Sequence, residues 1–193
     1  MTSSRNVASE RYEERADWAL IAFGIWTIAG LFLDGWAHTE RRPDSFFTPW
    51  HAVLYSGGVG MALVTAWRAQ RQHPDATRRD LIVLADRPSL IGLALFGLGG
   101  LLDMAWHQVF GVEVNLEAVL SPTHLMLMVG GLLVLSAPLR RAWLSPAPTR
   151  LTAFMPALVS LGLVTGVAFF FTFFASPFGE TVVPTFASVP AHV

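Results

Sequence analysis

Two short stretches of this otherwise apolar sequence carry acids and histidines at the same relative places. Each has an aspartate, a histidine four residues later, and a second histidine that ends a Ser/Thr-Pro-x-His run and precedes a Gly-Gly pair. The six residues are Asp34, His38 and His51 in the first stretch and Asp103, His107 and His124 in the second. Residues four apart share one face of a helix. Because aspartate and histidine supply the oxygen and nitrogen atoms that divalent metals prefer, the six residues predict metal binding.

The second histidine of each stretch lies at a predicted helix start. In the first stretch Thr48 is a typical capping residue, Pro49 suits the first helical position, and His51 follows at the third. The run Ser121-Pro122-Thr123-His124 repeats this order. Since a loop joins the two helices of each stretch, we expect the last turn of one and the first turn of the next to be neighbours. Each aspartate would then approach both of its histidines.

An acid also precedes the second histidine of each stretch by seven residues. These acids are Asp44 and Glu117. We expect them to accept a hydrogen bond from a metal-bound histidine, since such partners orient the imidazole ring. For Asp44 a solvated ion pair with Arg41 and Arg42 is the alternative.

The composition is that of a membrane protein. Of the 193 residues, 53% are hydrophobic and only 14% are charged, and the mean hydropathy is +0.48. A crossing needs about 20 apolar residues, and lipid leaves no partner for an open sheet edge. We therefore predict an all-α integral membrane protein with about five transmembrane helices, at residues 18–33, 50–67, 88–106, 122–139 and 151–177. The net charge of −1 without a basic tract argues against nucleic-acid binding, and the absence of cysteine excludes thiolate metal sites.

The arginines indicate an orientation. All 13 basic residues are arginine, and apart from Arg41 and Arg42 they lie before the first predicted span, between the second and third, and between the fourth and fifth. An excess of arginine marks cytoplasmic segments. We therefore predict a multi-pass protein of the cell membrane with a cytoplasmic amino terminus and both Asp/His stretches at the outer face.

The doubled pattern predicts a repeated organisation. We divide the chain into an amino-terminal segment (1–16), a first helical hairpin (17–69), an Arg-rich loop (70–87), a second hairpin (88–142), a fifth helix with its preceding loop (143–178) and an irregular tail (179–193). The hairpins would be parallel repeats about an axis along the membrane normal. The phenylalanine-rich fifth helix is unpaired, so we expect lipid, other membrane subunits or a second copy of the chain as partners.

The first stretch resembles a known metal-site segment. The spacing Asp34-x3-His38-x12-His51, with the run from Arg42 through Ser45-Phe46-Phe47-Thr48-Pro49 into His51, is similar to the C subunit of the copper membrane monooxygenases, the particulate methane and ammonia enzymes. The resemblance covers roughly residues 30–58 well and 99–131 loosely. It implies copper at both sites and a role as a component of a copper-dependent monooxygenase or oxidase. From the ligand types alone, two histidines and one carboxylate are also compatible with zinc or non-haem iron. That family carries asparagine where the second stretch has Asp103.

Two other functions remain open from the residues. A transporter of metal ions or protons would also contain repeats and intramembrane carboxylates. Polar residues should then continue toward the inner face, where residues 21–33 and 90–102 offer few. A haem-b electron-transfer protein would use the histidines as axial ligands, although all of them fall at one face and the aspartates would then have no role.

Overall fold

A computed structural model describes residues 2–39, 47–77, 80, 86–110, 120–144 and 151–174. This part of the chain is helical apart from short turns, which confirms the predicted all-α class. The helices are α1 (Thr2–Thr39), α2 (Pro49–Gln72), α3 (Arg87–Phe110), α4 (Pro122–Leu135), α5 (Ala137–Leu144) and α6 (Leu151–Phe174). Only Ser136 separates α4 from α5. The first predicted span, residues 18–33, forms the middle of α1, which is longer than the span.

Four segments of the described chain are long and apolar enough to cross a membrane. They are Arg11–Asp34, Arg87–Val109, Pro122–Leu144 and Leu151–Thr172. The remaining predicted span falls in α2, a helix of 24 residues. The helix has His51 in its first turn and ends in an Arg- and Gln-containing turn, and three glycines lower its hydropathy further. Its crossing of the membrane stays a prediction.

Glycines let the helices pair closely, α1 with α2 and α3 with α4. A Cβ at Gly30 would overlap the backbone of Leu54 in α2. A Cβ at Gly130 in α4 would overlap the Gly92 carbonyl oxygen and lie 2.7 Å from the Phe96 nitrogen, both in α3. Small residues at such contacts bring helix backbones together, which lets many side chains pack. The two pairs and α6 enclose a core that contains Leu20, Met61, Val64, Val134 and Leu135.

Ion pairs join three helices at the end of the bundle that is remote from the Asp/His stretches. The Asp17 carboxylate in α1 accepts from Arg68 of α2 at 2.8 Å and also pairs with Arg141 of α5. Arg68 pairs with Glu13 as well. Burial lowers the pKa of the Arg68 guanidinium to about 10 while Tyr12 and Asp86 act to raise it. Arg68 therefore stays charged at neutral pH.

The break between α4 and α5 is closed by side chains. Arg140 in α5 donates to the Leu133 carbonyl at 2.7 Å and to the Asp86 carboxylate at 2.5 Å. It also donates to the Ser136 and Ser89 hydroxyls. Ser160 of α6 donates to the Leu135 carbonyl at 2.6 Å. Carbonyls at an interrupted helix have to find such partners inside a membrane.

The two polar ends of the bundle are a fixed number of residues apart. Seventeen positions separate Asp17 from Asp34, His51 from Arg68, Asp86 from Asp103, and His124 from Arg141. At about 1.5 Å per helical residue this spacing is ~25 Å, which is comparable to the hydrocarbon thickness of about 30 Å. Between the two ends the helices are mainly apolar. The ion pairs thus anchor one end of the bundle, and the Asp/His residues occupy the other.

The adjacent glycines of α4 provide a test of the helix contact. Gly130→Ala places a methyl group on the backbone of α3, which cannot move aside without separating the helices, and we expect a loss on the order of 1–3 kcal/mol. Gly131→Ala is the matched control, because a Cβ there meets nothing within 4 Å. Alanine has a higher helix propensity than glycine, so Gly131→Ala should leave the free energy of unfolding unchanged or raise it slightly. Thermal unfolding of both variants in detergent measures the difference; equal melting temperatures would contradict this contact.

Arg140 provides a second test. Arg140→Ala removes the donor that serves the Leu133 carbonyl and leaves Asp86 without its ion pair, so we expect destabilisation of about 1–3 kcal/mol. Arg87→Ala, at an exposed arginine next to Asp86, is the control and should change little. Thermal unfolding followed by circular dichroism compares them. If both variants unfold at the wild-type temperature, Arg140 does not stabilise the break.

Candidate metal centre

Asp103, His107 and His124 form a compact group at the end of the second hairpin. Asp103 and His107 occupy successive turns of α3, and His124 comes from the first turn of α4. One ligand atom from each lies within 4.8 Å of the others. The His107 Nε2 is 3.5 Å from Asp103 Oδ2, and the His124 Nε2 is 3.3 Å from Asp103 Oδ1. Asp103 is only 4% exposed.

These distances suit one ion bound by three protein ligands. Ligands at 2.0–2.1 Å in a tetrahedral zinc site are about 3.3 Å from one another. Each histidine nitrogen lies at about this separation from one oxygen of Asp103, His107 from Oδ2 and His124 from Oδ1. The rings of His107 and His124 are 6.1 Å apart between centroids, and their nitrogens approach different oxygens of the carboxylate. A carboxylate in an apolar helix costs on the order of 2.5–3.5 kcal/mol at the bilayer centre, less near its edge. A cation held here would offset that cost.

The first hairpin brings part of the corresponding group together. His51 Nε2 in α2 is 3.1 Å from Asp34 Oδ1 in α1, and both residues are buried. His38 belongs to the last turn of α1, four residues after Asp34. Its side chain is outside the described part of the structure. The predicted acceptors Asp44 and Glu117 also lie outside the described residues.

The capping sequences place the second histidine of each hairpin as predicted. Thr48 is the N-cap of α2, Pro49 takes its first position, and the Thr48 hydroxyl accepts a hydrogen bond from the His51 backbone. Ser121 caps α4 in the same way and accepts from the His124 backbone at 3.2 Å. Each cap fixes the first turn of a helix, so the histidine at the third position faces the aspartate of the preceding helix.

Sequence reasoning did not identify Thr123 as part of the site. Its hydroxyl, which is buried, donates to Asp103 Oδ1 at 2.7 Å. The signal available in the sequence was its position between a capping serine and a histidine, but the residue at the same place in the first hairpin is Trp50. A tryptophan and a threonine share no hydrogen-bonding pattern, so the comparison of the two stretches gave no indication of this role.

Tyr55 lies between the two groups. It is one turn after His51 on α2, with ring centroids 6.1 Å apart. Its ring occupies the space that a Cβ at Gly100 would need on α3. Gly100 is three residues before Asp103, about one helical turn. The ring therefore packs between the first hairpin and the helix that carries the second group.

An apolar cavity of about 60 Å³ lies among the helices, about one helical turn from residues of both groups. Three of its lining residues are each three positions from a site residue: Leu31 from Asp34, Leu54 from His51, and Leu127 from His124. Phe171 of α6 closes another side, although we predicted its phenylalanine cluster to face lipid or a partner. Thr27 supplies the one hydroxyl of this lining, and it donates to the Phe23 carbonyl of its own helix.

Comparison of the chain with protein-family models, with curated proteins and with solved structures found no match. The fold and the site therefore define a class only. The described part of the chain is all-helical with four candidate membrane spans, and it holds an Asp/His/His group that could bind a metal ion. The resemblance to the monooxygenase C subunit stays a prediction from the residues that carry it.

Proposed function

We propose that this chain is a multi-pass membrane protein that binds a divalent metal ion at Asp103, His107 and His124. The observation that carries the proposal is the convergence of their three ligand atoms within 4.8 Å at a hairpin end. Asp34, His38 and His51 form the second site of the proposal, supported by the 3.1 Å approach of His51 to Asp34. Copper is the first candidate, because affinity for nitrogen and oxygen ligands peaks at copper among divalent metals. Zinc and non-haem iron suit the same ligands.

The membrane arrangement rests on two features of the bundle. Four described segments are long and apolar enough to cross, and the two polar ends are separated by about 25 Å of helix. α2 follows the same 17-residue spacing, from His51 to Arg68, and this favours a crossing for α2 as well. The arginine-rich connections belong to the end that carries the ion pairs. By the positive-inside rule that end is cytoplasmic, and the metal sites face outward from the cell membrane.

The reaction proposed for the site is redox chemistry, as a component of a copper-dependent oxidase or monooxygenase. Two histidines and one carboxylate leave coordination positions open for an exogenous molecule, as in the 2-His-1-carboxylate oxygenases. The cavity one turn away has an apolar lining, which suits an uncharged co-substrate. Completion by other membrane subunits or by a second copy belongs to the same proposal, since α6 has exposed apolar residues such as Phe169 and Leu158.

The same cavity argues against transport of ions. A cation that left either site toward the opposite end of the bundle would meet a cavity lined by aliphatic and aromatic side chains. Its single hydroxyl, that of Thr27, is already bonded to a backbone carbonyl. Moving an ion through such surroundings carries a large desolvation cost. The described residues therefore favour an ion that stays where it binds.

Metal content tests the proposal. Full-length protein, purified in its native lipids and loaded with copper, should lose the second-site ion when Asp103, His107 and His124 are all changed to alanine. His73→Ala, in the loop after α2, is the control and should keep the wild-type content. Elemental analysis gives the copper-to-protein ratio, and circular dichroism verifies folding. An intense Soret band in the purified wild-type protein would indicate bound haem and would favour a haem-b electron-transfer protein instead.

Two outcomes decide the test. If the folded triple variant keeps the full metal content, the second site is not a metal site. Should the triple variant fail to fold, His107→Gln and His124→Gln retain volume and polarity while they remove the metal-binding imidazole. Each is expected to weaken copper binding at least about tenfold in a chelator competition, as the loss of a ligand should cost no less than the loss of a supporting partner. Unchanged affinity in both would overturn the proposal.

A further inference from the structure

The Thr123 hydroxyl reaches across the second hairpin to the candidate metal ligand Asp103. The two residues lie on different helices, α4 and α3, and the donor and acceptor atoms are 2.7 Å apart. Thr123 is 5% exposed and Asp103 is 4% exposed, so water does not compete freely for this bond. A hydrogen bond to a carboxylate is stronger and shorter than one between neutral groups. The contact is therefore strong enough to orient the carboxylate.

A chain of hydrogen bonds fixes the direction of this donor. The His124 backbone N–H donates to the Ser121 hydroxyl, which is 3.0 Å from the Thr123 hydroxyl. A hydroxyl has one proton to give. Thr123 gives its proton to Asp103, so Ser121 has to give its own proton to Thr123. The helix cap of α4 thereby polarises the Thr123 hydroxyl toward the carboxylate.

The two carboxylate oxygens are consequently unequal. Oδ1 accepts from Thr123 and lies 3.3 Å from the His124 Nε2. Oδ2 lies 3.5 Å from the His107 Nε2, and among the described residues its contact is with this imidazole rather than with a hydroxyl. We infer that Thr123 is a positioning residue of the second metal site. It holds Oδ1 in a hydrogen bond and presents Oδ2 as the oxygen that coordinates the ion. This inference rests on the proposed metal-binding function.

The first hairpin provides an internal reference. Trp50 stands where the second hairpin has Thr123, and a tryptophan has no hydroxyl to play this role. A substitution at Thr123 should therefore change copper binding at the second site and leave binding at the first site as it was. Groups that support metal ligands from outside the coordination sphere typically change affinity by about 10–100-fold when they are removed.

The test uses full-length protein in lipid nanodiscs, with Cu²⁺ as the probe. Thr123→Val keeps the shape of the side chain but removes the hydroxyl, and Thr123→Ser keeps the hydroxyl. Chelator competition should show about 10–100-fold weaker copper binding at the second site for Thr123→Val and near wild-type binding for Thr123→Ser. Electron paramagnetic resonance of the bound Cu²⁺ should change for the valine variant and be restored by serine. A purely structural role would lower the melting temperature without changing the spectrum of the folded protein.

The outcomes separate this inference from the proposed function. If wild-type protein binds no copper that depends on Asp103, both fail. If wild-type protein binds it, and Thr123→Val binds with the same affinity and the same spectrum, only the role of Thr123 is wrong. Should the valine variant fail to fold, Thr123→Ala removes the same hydroxyl with less bulk. Wild-type affinity and spectrum in the alanine variant would overturn the inference equally.

Discussion

The second hairpin depends on the compensation of one buried carboxylate. Asp103 lies in a mainly apolar helix, and lipid or an apolar interior cannot solvate its charge. Three polar groups surround it instead: the Thr123 hydroxyl and the imidazoles of His107 and His124. Two of these three come from α4. The carboxylate is therefore stabilised only while α3 and α4 remain paired, which couples the site to the helix contact.

The bundle meets this requirement by fixing the helices at the middle and at the end remote from the site. Near the middle, Gly130 lets α4 lie directly against the α3 backbone. At the remote end, Arg140 joins Asp86, which precedes α3, to the break between α4 and α5. Asp17 ties the first hairpin to the second through Arg141. Ion pairs anchor the remote end and close packing anchors the middle. The helical turns that carry the histidines therefore have little freedom to separate.

The sequence predicted those parts of the structure that depend on local signals. Thr48-Pro49 and Ser121-Pro122 mark helix starts through capping and backbone chemistry, and both helices begin there. The four-residue spacing of Asp103 and His107 placed them on one helix face. The role of Thr123 could not be predicted, because it depends on how far α4 is rotated toward α3. The cavity likewise needs α6 to pack Phe171 inward, and a run of phenylalanines has no periodicity that selects an inward residue.

The two Asp/His groups are also not structurally independent. Tyr55 packs beside His51 of the first group, and its ring fills the space left by Gly100, one turn before Asp103. A displacement of α2 relative to α3 would move this ring against the helix that carries the second carboxylate. Because a close-packed interior is barely compressible, the ring holds the spacing between the two hairpins at the level of the sites. The geometry of each group thus depends partly on the position of the other hairpin, although their ligands come from separate hairpins.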